Sequence, residues 1–264
     1  MADMPVSLVT GATAGIGAAF AKALAARGHD LVLVARDAER LAKTAAALEA
    51  RYAVSVEVLE ADLGVEAGRL RVACRLEDPE LPIDLLVNNA GFGVASRLLD
   101  PDTSSHRDAL EVMCYAVLVL GGAAARAMKV RGHGRIINVS SLASWTTQGN
   151  YSAVKAWVRS YSQGLGNELH GSGVTVTVLC PGWVRTEFHQ RAGIRTSSIP
   201  EWYWVDADRV AKVALRDAAV GKVISIPAKR WRLARALLSV APASAVRAVS
   251  RLLVRSRVRA GASG

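Results

Sequence analysis

The chain has 264 residues, 51% of them hydrophobic and 21% charged, with a formal net charge of +10. That balance excludes a disordered or fibrous chain, and the length suits one large α/β domain or two small ones. Three cysteines (Cys74, Cys114 and Cys180) without CxxC spacing, and five scattered histidines, argue against a disulfide framework or a metal centre.

A reducing cytoplasm is the compartment this usage favours. The N-terminus lacks a basic stretch followed by an apolar one, so no signal peptide is expected. The longest apolar run, Val112 to Ala125, has fourteen residues and is too short to cross a bilayer comfortably. It reads as a buried or interface helix. The charge is unevenly placed: from Lys229 onward there are nine Lys or Arg and no Asp or Glu, which leaves about +1 for the rest.

In chain order, Val6–Val9 reads as a strand and Gly15–Arg27 as a helix. Leu31–Ala35 is a strand, followed by a helix near Ala38–Arg51. Val54–Leu59 is a strand, then a helix comes near Gly64–Arg75. Ile83–Val87 is a strand, and a long helix spans Ser105–Val130. Arg135–Val139 is a strand, and a helix covers Tyr151 to Leu169. Val174–Leu179 is a strand, a helix lies near Asp206–Ala219, and Val223–Ile226 closes the series. Apolar β-branched runs without alternation imply strands covered on both faces. Strand–helix repetition implies βαβ units. The expectation is a Rossmann-type, doubly wound, mostly parallel α/β sheet of seven strands with helices on both faces. It occupies residues 1–227, and a basic helical extension occupies 228–264.

After the first strand comes TGATAGIG, with Gly11, Gly15 and Gly17 opening a helix. Backbone amides and a helix N-terminus there can receive a pyrophosphate, although the G-x-x-x-G-x-G spacing alone is weak evidence. An NAD site often has an acid at the end of the second strand. Here that position is Ala35, and Arg36 follows. A guanidinium suits a 2′-phosphate, which favours NADP(H) over the alternative NAD(H). The bland reading is a solvated arginine at a helix start, with Asp37 as its N-cap in either case.

Tyr151 and Lys155 stand at i and i+4 on one helical face. An ammonium near a phenol favours the phenolate, so the tyrosine can give and take a proton near neutrality. The spacing is common by itself. It gains meaning from the glycine loop and from Asn138-Val139-Ser140-Ser141, where the Ser141 hydroxyl could bind a carbonyl oxygen.

Together these segments resemble the short-chain dehydrogenase/reductase family over about residues 5 to 227. The motifs are TGATAGIG at 10–17, Asp62-Leu63, NNAG at 88–91, NVSS at 138–141, YSAVK at 151–155 and PGWVRT at 181–186. The resemblance implies that Gly11, Thr13, Gly15, Ile16 and Gly17 line the cofactor phosphates and ribose, and that Arg36 meets the 2′-phosphate. Asp62 and Leu63 would flank the adenine. Asn89, Ala90 and Gly91 would sit beside the adenosine ribose and brace the sheet. Ser141 would orient the substrate carbonyl and Tyr151 would act as general acid or base. Lys155 would hold the nicotinamide ribose and tune Tyr151. Pro181, Gly182, Val184 and Thr186 would contact the nicotinamide end.

Two departures stand out. Cys114 is placed where the family often has an Asn that holds a relay water, within about one residue. The ten-residue step from Ser141 to Tyr151 is shorter than the family's usual one.

Trp183, Phe188, His189, Trp202, Tyr203 and Trp204 would line an apolar substrate pocket or else cover the sheet edge; His189 reads as a rim residue. The implied function is interconversion of a hydrophobic ketone and its alcohol by hydride transfer. The alternative is a non-enzymatic dinucleotide-binding regulator or scaffold. No metal or nucleic-acid partner is expected, and a homodimer or homotetramer is. The tail, Lys229 to Arg259, reads as two amphipathic helices broken near Pro242. They would contact either a partner subunit or, peripherally, an anionic membrane.

Overall fold

A computed structural model of the protein describes residues 4–94, 96–188, 200–242, 244–248 and 250–251. Seven strands form one sheet: β1 (Val6–Thr10), β2 (Asp30–Ala35), β3 (Val56–Glu60), β4 (Leu85–Asn88), β5 (Gly134–Val139), β6 (Val174–Leu179) and β7 (Ile224–Ser225). Their order is β3-β2-β1-β4-β5-β6-β7. Every described pairing is parallel, with Val9 facing Leu33 on one side and Val87 on the other. The order reverses direction between β1 and β4. The loops leaving those two strands therefore part, and a crevice opens at the carboxyl ends of the strands.

Helices α1 (Gly15–Ala25), α2 (Ala38–Tyr52), α3 (Glu66–Glu77), α4 (Ser104–Leu110), α5 (Ala116–Arg131), α6 (Asn150–Glu168) and α7 (Ala207–Ala219) alternate with the strands, and α8 (Lys229–Val240) follows β7. One face of the sheet packs Phe20, Leu24, Leu41, Val210 and Leu215 of α1, α2 and α7. The other packs Val72, Leu76, Leu120, Met128 and Leu169 beside α3, α5 and the end of α6. Each such side chain contributes about 1.5–3 kcal/mol when fully buried. The expectation that all strands are covered on both faces fails at β3. It is an edge strand, and Glu57 and Val58 lie exposed.

The long helix expected over Ser105–Val130 extends over 104–131, but a π-helical turn, Glu111–Tyr115, interrupts it. The extra residue in that turn shifts the phase of the helix. Met113 and Cys114, adjacent in sequence, are both buried. By length and composition the stretch could cross a membrane, yet over half of its most apolar window is buried within the protein.

Candidate active site

The loop after β1 is held by what it cannot contain. Gly11 has φ +65°, a left-handed backbone that side chains rarely adopt. At Gly17 a Cβ would stand 2.1 Å from the Gly11 carbonyl oxygen. The loop is therefore bare backbone wrapped tightly on itself. Thr10 Oγ1 joins it to the loop after β4, accepting from the amides of Asn89 (2.9 Å) and Ala90 (3.0 Å). Asn89 Nδ2 donates to the Thr10 carbonyl at 2.9 Å.

Among the described residues no side chain caps α1, and its first turn holds no acid. Asp37 caps α2 and Asp206 caps α7. Orphan amides at the end of a helix dipole, beside glycines that exclude side chains, fit a pyrophosphate. Gly17→Ala is expected to lower dinucleotide affinity at least about tenfold and to destabilise the fold by about 1–3 kcal/mol through overpacking. Cofactor titration and thermal melts check it.

At the end of β2, Arg36 is exposed, and Asp37 accepts from the Arg40 amide at 2.9 Å, as its expected cap role requires. The side chain of Arg40 was not singled out from the sequence. Its Nη2 lies 3.4 Å from the Thr13 carbonyl and 3.5 Å from the Glu187 carboxylate. Arg36 and Arg40 thus flank the corner between the glycine loop and β2. Asp62 accepts from the Gly64 amide at 2.8 Å, closing its own turn, and Leu63 is buried in the core. The buried brace across the sheet comes from Asn88. Its Nδ2 donates to Asn138 Oδ1 at 2.9 Å, and Asn138 Nδ2 donates to Ser162 Oγ at 3.0 Å.

Lys155, on α6, is 5% exposed. Its Nζ donates to the Val139 carbonyl at 2.9 Å and lies 5.7 Å from the centre of the Tyr151 ring. Burial lowers its pKa to about 8, against a smaller upward pull from Cys114 and Cys180. Ser140 donates to the Lys155 carbonyl at 2.7 Å, so its hydroxyl proton is committed. Ser141 is half-buried and accepts from the Ala143 amide at 3.1 Å, which leaves its own proton for donation. That bond caps the 3₁₀ turn Leu142–Trp145, the compact form of the shortened serine loop.

Cys114 Sγ lies 3.9 Å from the Val154 carbonyl, and burial pushes its thiol up to about 11. Its neighbour Met113 is the π-turn residue that reaches Gly91. A Cβ on Gly91 would meet Met113 Sδ at 3.0 Å and Lys155 Nζ at 3.7 Å. Nothing in the sequence distinguished Met113 from the rest of its apolar run.

The segment after β6 runs beside the serine loop and the glycine loop. The Pro181 carbonyl accepts from Leu142, and Val184 bridges to Val205. Thr186 lies against Gly15, where a Cβ would approach it to 3.1 Å. Phe188 packs on Tyr151 with ring centroids 5.7 Å apart. Of the other aromatic residues, Trp183 and Trp204 pair edge to face, Tyr203 packs on Trp231 of α8, and Trp202 is exposed. Trp231 sits directly over Gly182, whose Cβ would be 2.3 Å from the indole. His189 lies outside the described residues. The fold thus brings the glycine loop, Asn89–Gly91, Ser141, Tyr151, Lys155 and Pro181–Thr186 to one edge of the sheet.

The family model described as short chain dehydrogenase matches residues 5–195. The chain belongs to the short-chain dehydrogenase family. This short-chain dehydrogenase is 32% identical over 198 residues to the 3-oxoacyl-[acyl-carrier-protein] reductase FabG of Escherichia coli, covering 72% of the chain and 80% of that protein. A short-chain dehydrogenase from Sphingobium yanoikuyae, solved in complex with NADPH, is similar at 35% identity and a TM-score of 0.81. The match covers 90% of this chain and 96% of that one. The bulky-bulky ketone specific alcohol dehydrogenase from Comamonas testosteroni matches at 31% identity and a TM-score of 0.77, covering 91% and 96%. The chain is an oxidoreductase of this family.

Proposed function

We propose that the protein interconverts a hydrophobic ketone and its secondary alcohol with NADP(H), with Tyr151 as general acid and base. The observation that carries this reading is the buried Lys155 ammonium beneath Tyr151, at the edge of the crevice. The depression of its pKa from 10.5 to about 8 corresponds to roughly 3 kcal/mol against folding with the lysine charged. A scaffold gains nothing from that cost, whereas a proton-transfer site does.

When bound, the dinucleotide supplies or accepts hydride. The protein's part is positional and electrostatic. The uncapped start of α1 would hold the phosphates, with Thr186 lying against Gly15 of the loop. Ser141 donates its free proton to the substrate oxygen, where negative charge grows during reduction. Tyr151 gives that oxygen its proton, and the Lys155 charge favours the phenolate left behind. The apolar wall on this side is Phe188, with Trp231 over Gly182. That wall suits a bulky substrate, as does the likeness to a bulky-ketone dehydrogenase. NADPH absorbance followed across a panel of ketones and alcohols tests the reading. Absence of turnover with every bulky ketone would refute the substrate class.

Arg36, Arg40 and the NADPH held by the Sphingobium relative support the choice of NADP(H). A charge-assisted contact is worth about 1.5–3 kcal/mol, so Arg36→Ala with Arg40→Ala is expected to raise the KM for NADPH at least about tenfold. The KM for NADH, which lacks the 2′-phosphate, should stay within about threefold. Equal losses for both cofactors would overturn the assignment.

We also propose a homodimer or homotetramer. Leu110, Tyr115, Leu118 and Trp157 lie exposed along the helices from α4 to α6, an apolar face of the kind subunits cover. Free Cys74, Cys114 and Cys180 support a reducing cytoplasm as the compartment.

A further inference from the structure

We propose that the outward face of α8, with the arginine-bearing segment after it, docks on an anionic lipid surface. The tail is no loose appendage. Its inner side is fastened to the substrate side of the crevice at several points. Trp231 covers Gly182, Arg235 stacks over Trp145 at 5.8 Å, and Arg232 Nε donates to the Ile226 carbonyl at 2.9 Å. Further along, buried Ser250 accepts from the Thr147 amide at 3.0 Å. These contacts fix which way the helix faces.

The opposite side is apolar and open. Leu233, Leu237 and Val240 follow one another at i, i+4 and i+7, and are 63%, 61% and 81% exposed. Three large aliphatic side chains in one stripe on a helix of twelve residues are more than a solvated face requires. Lys229 and Arg230 sit a turn below the stripe, and Arg247 and Arg251 beyond it, all of them exposed. No acid occurs from Lys229 to the chain end.

An apolar stripe whose charged neighbours along the chain are all cations, on a helix anchored by its other side, fits the boundary between anionic headgroups and acyl chains. A second copy of this chain fits poorly. A two-fold contact would set two acid-free faces against each other, and the rest of the chain nets only about +1, which offers no excess of acid to answer them.

The experiment is flotation of the purified full-length enzyme with phosphatidylcholine vesicles, with and without about 30% phosphatidylglycerol, at low and at about 0.5 M salt. Light scattering and thermal melts run beside it. The variants are Leu233→Gln/Leu237→Gln/Val240→Gln and Arg247→Gln/Arg251→Gln. The enzyme is expected to float with the anionic vesicles only, and to lose at least about tenfold in binding at the higher salt. Each variant should lose several-fold in binding with mass and Tm unchanged. If the aliphatic variant melts early, the arginine variant alone decides. Absence of flotation, equal flotation with neutral vesicles, or arginine-variant binding like wild type overturns the proposal. So does an aliphatic variant that lowers the oligomer mass while vesicle binding persists, since the face would then belong to a second copy.

Discussion

Tyr151→Phe is expected to lower kcat for ketone reduction by about 10²–10⁴-fold while cofactor affinity and Tm stay near wild type. The substitution removes one oxygen. The ring remains, so the contact with Phe188 at 5.7 Å and the position over Lys155 are retained. What disappears is the proton that must reach the substrate oxygen as hydride arrives. Ser141 keeps its own hydroxyl proton, but its oxygen is tied to the Ala143 amide in the cap of the 3₁₀ turn. It can stabilise charge there without replacing the phenol as an acid. The loss should therefore fall on kcat and leave KM for NADPH alone, because Tyr151 acts on the reacting atoms rather than on ground-state binding. Single-turnover reduction with bound NADPH isolates the step. A variant with unchanged turnover on a substrate the wild type reduces would remove Tyr151 from the mechanism.

What the sequence could disclose depended on how local the cause was. The strand–loop–helix over Val6–Ala25 follows from an apolar run and glycines a few residues apart. The cap of α2 follows from Asp37 lying three residues before the amide it accepts. Such features are written in neighbouring positions. The π turn at Glu111–Tyr115 is not, because an apolar run reads alike whether the helix carries an extra residue or none. Only the packing against α6 and Gly91 separates the parts of Met113 and Cys114.

Arg40 escaped notice because its partners, Thr13 and Glu187, come from two other loops. The tail was the least legible part. Its charge and periodicity were plain, but the contact between Thr147 and Ser250 spans 103 positions. The seat of Trp231 on Gly182 likewise belongs to the tertiary fold.

Lys155→Met is expected to separate activity from stability. Turnover should fall by at least about 100-fold, since the positive charge that favours the Tyr151 phenolate is gone. The fold should become more stable. An ammonium 5% exposed is held at a pKa near 8 against 10.5 when unfolded, a penalty of roughly 3 kcal/mol when the lysine is charged. Methionine fills similar space without charge, at the loss of one hydrogen bond to the Val139 carbonyl, about 1–2 kcal/mol. The net gain is about 1–2 kcal/mol, or a rise in Tm of roughly 2–8 °C at pH 7.

The pH dependence identifies the cause. Between pH 8 and 10.5 the unfolded lysine binds more protons than the folded one, so wild-type stability recovers through that window. The advantage of the variant should therefore be full below about pH 8 and shrink toward 10.5. The raised thiols of Cys114 and Cys180 weaken both folds from about pH 9 upward, and the Lys155 charge lowers each of them, so the difference is read below pH 9. Melts of both proteins from about pH 7 to 9 test this. A variant less stable than wild type, or a gain that ignores pH, would mean that Lys155 is a packing residue and that its burial serves no chemistry.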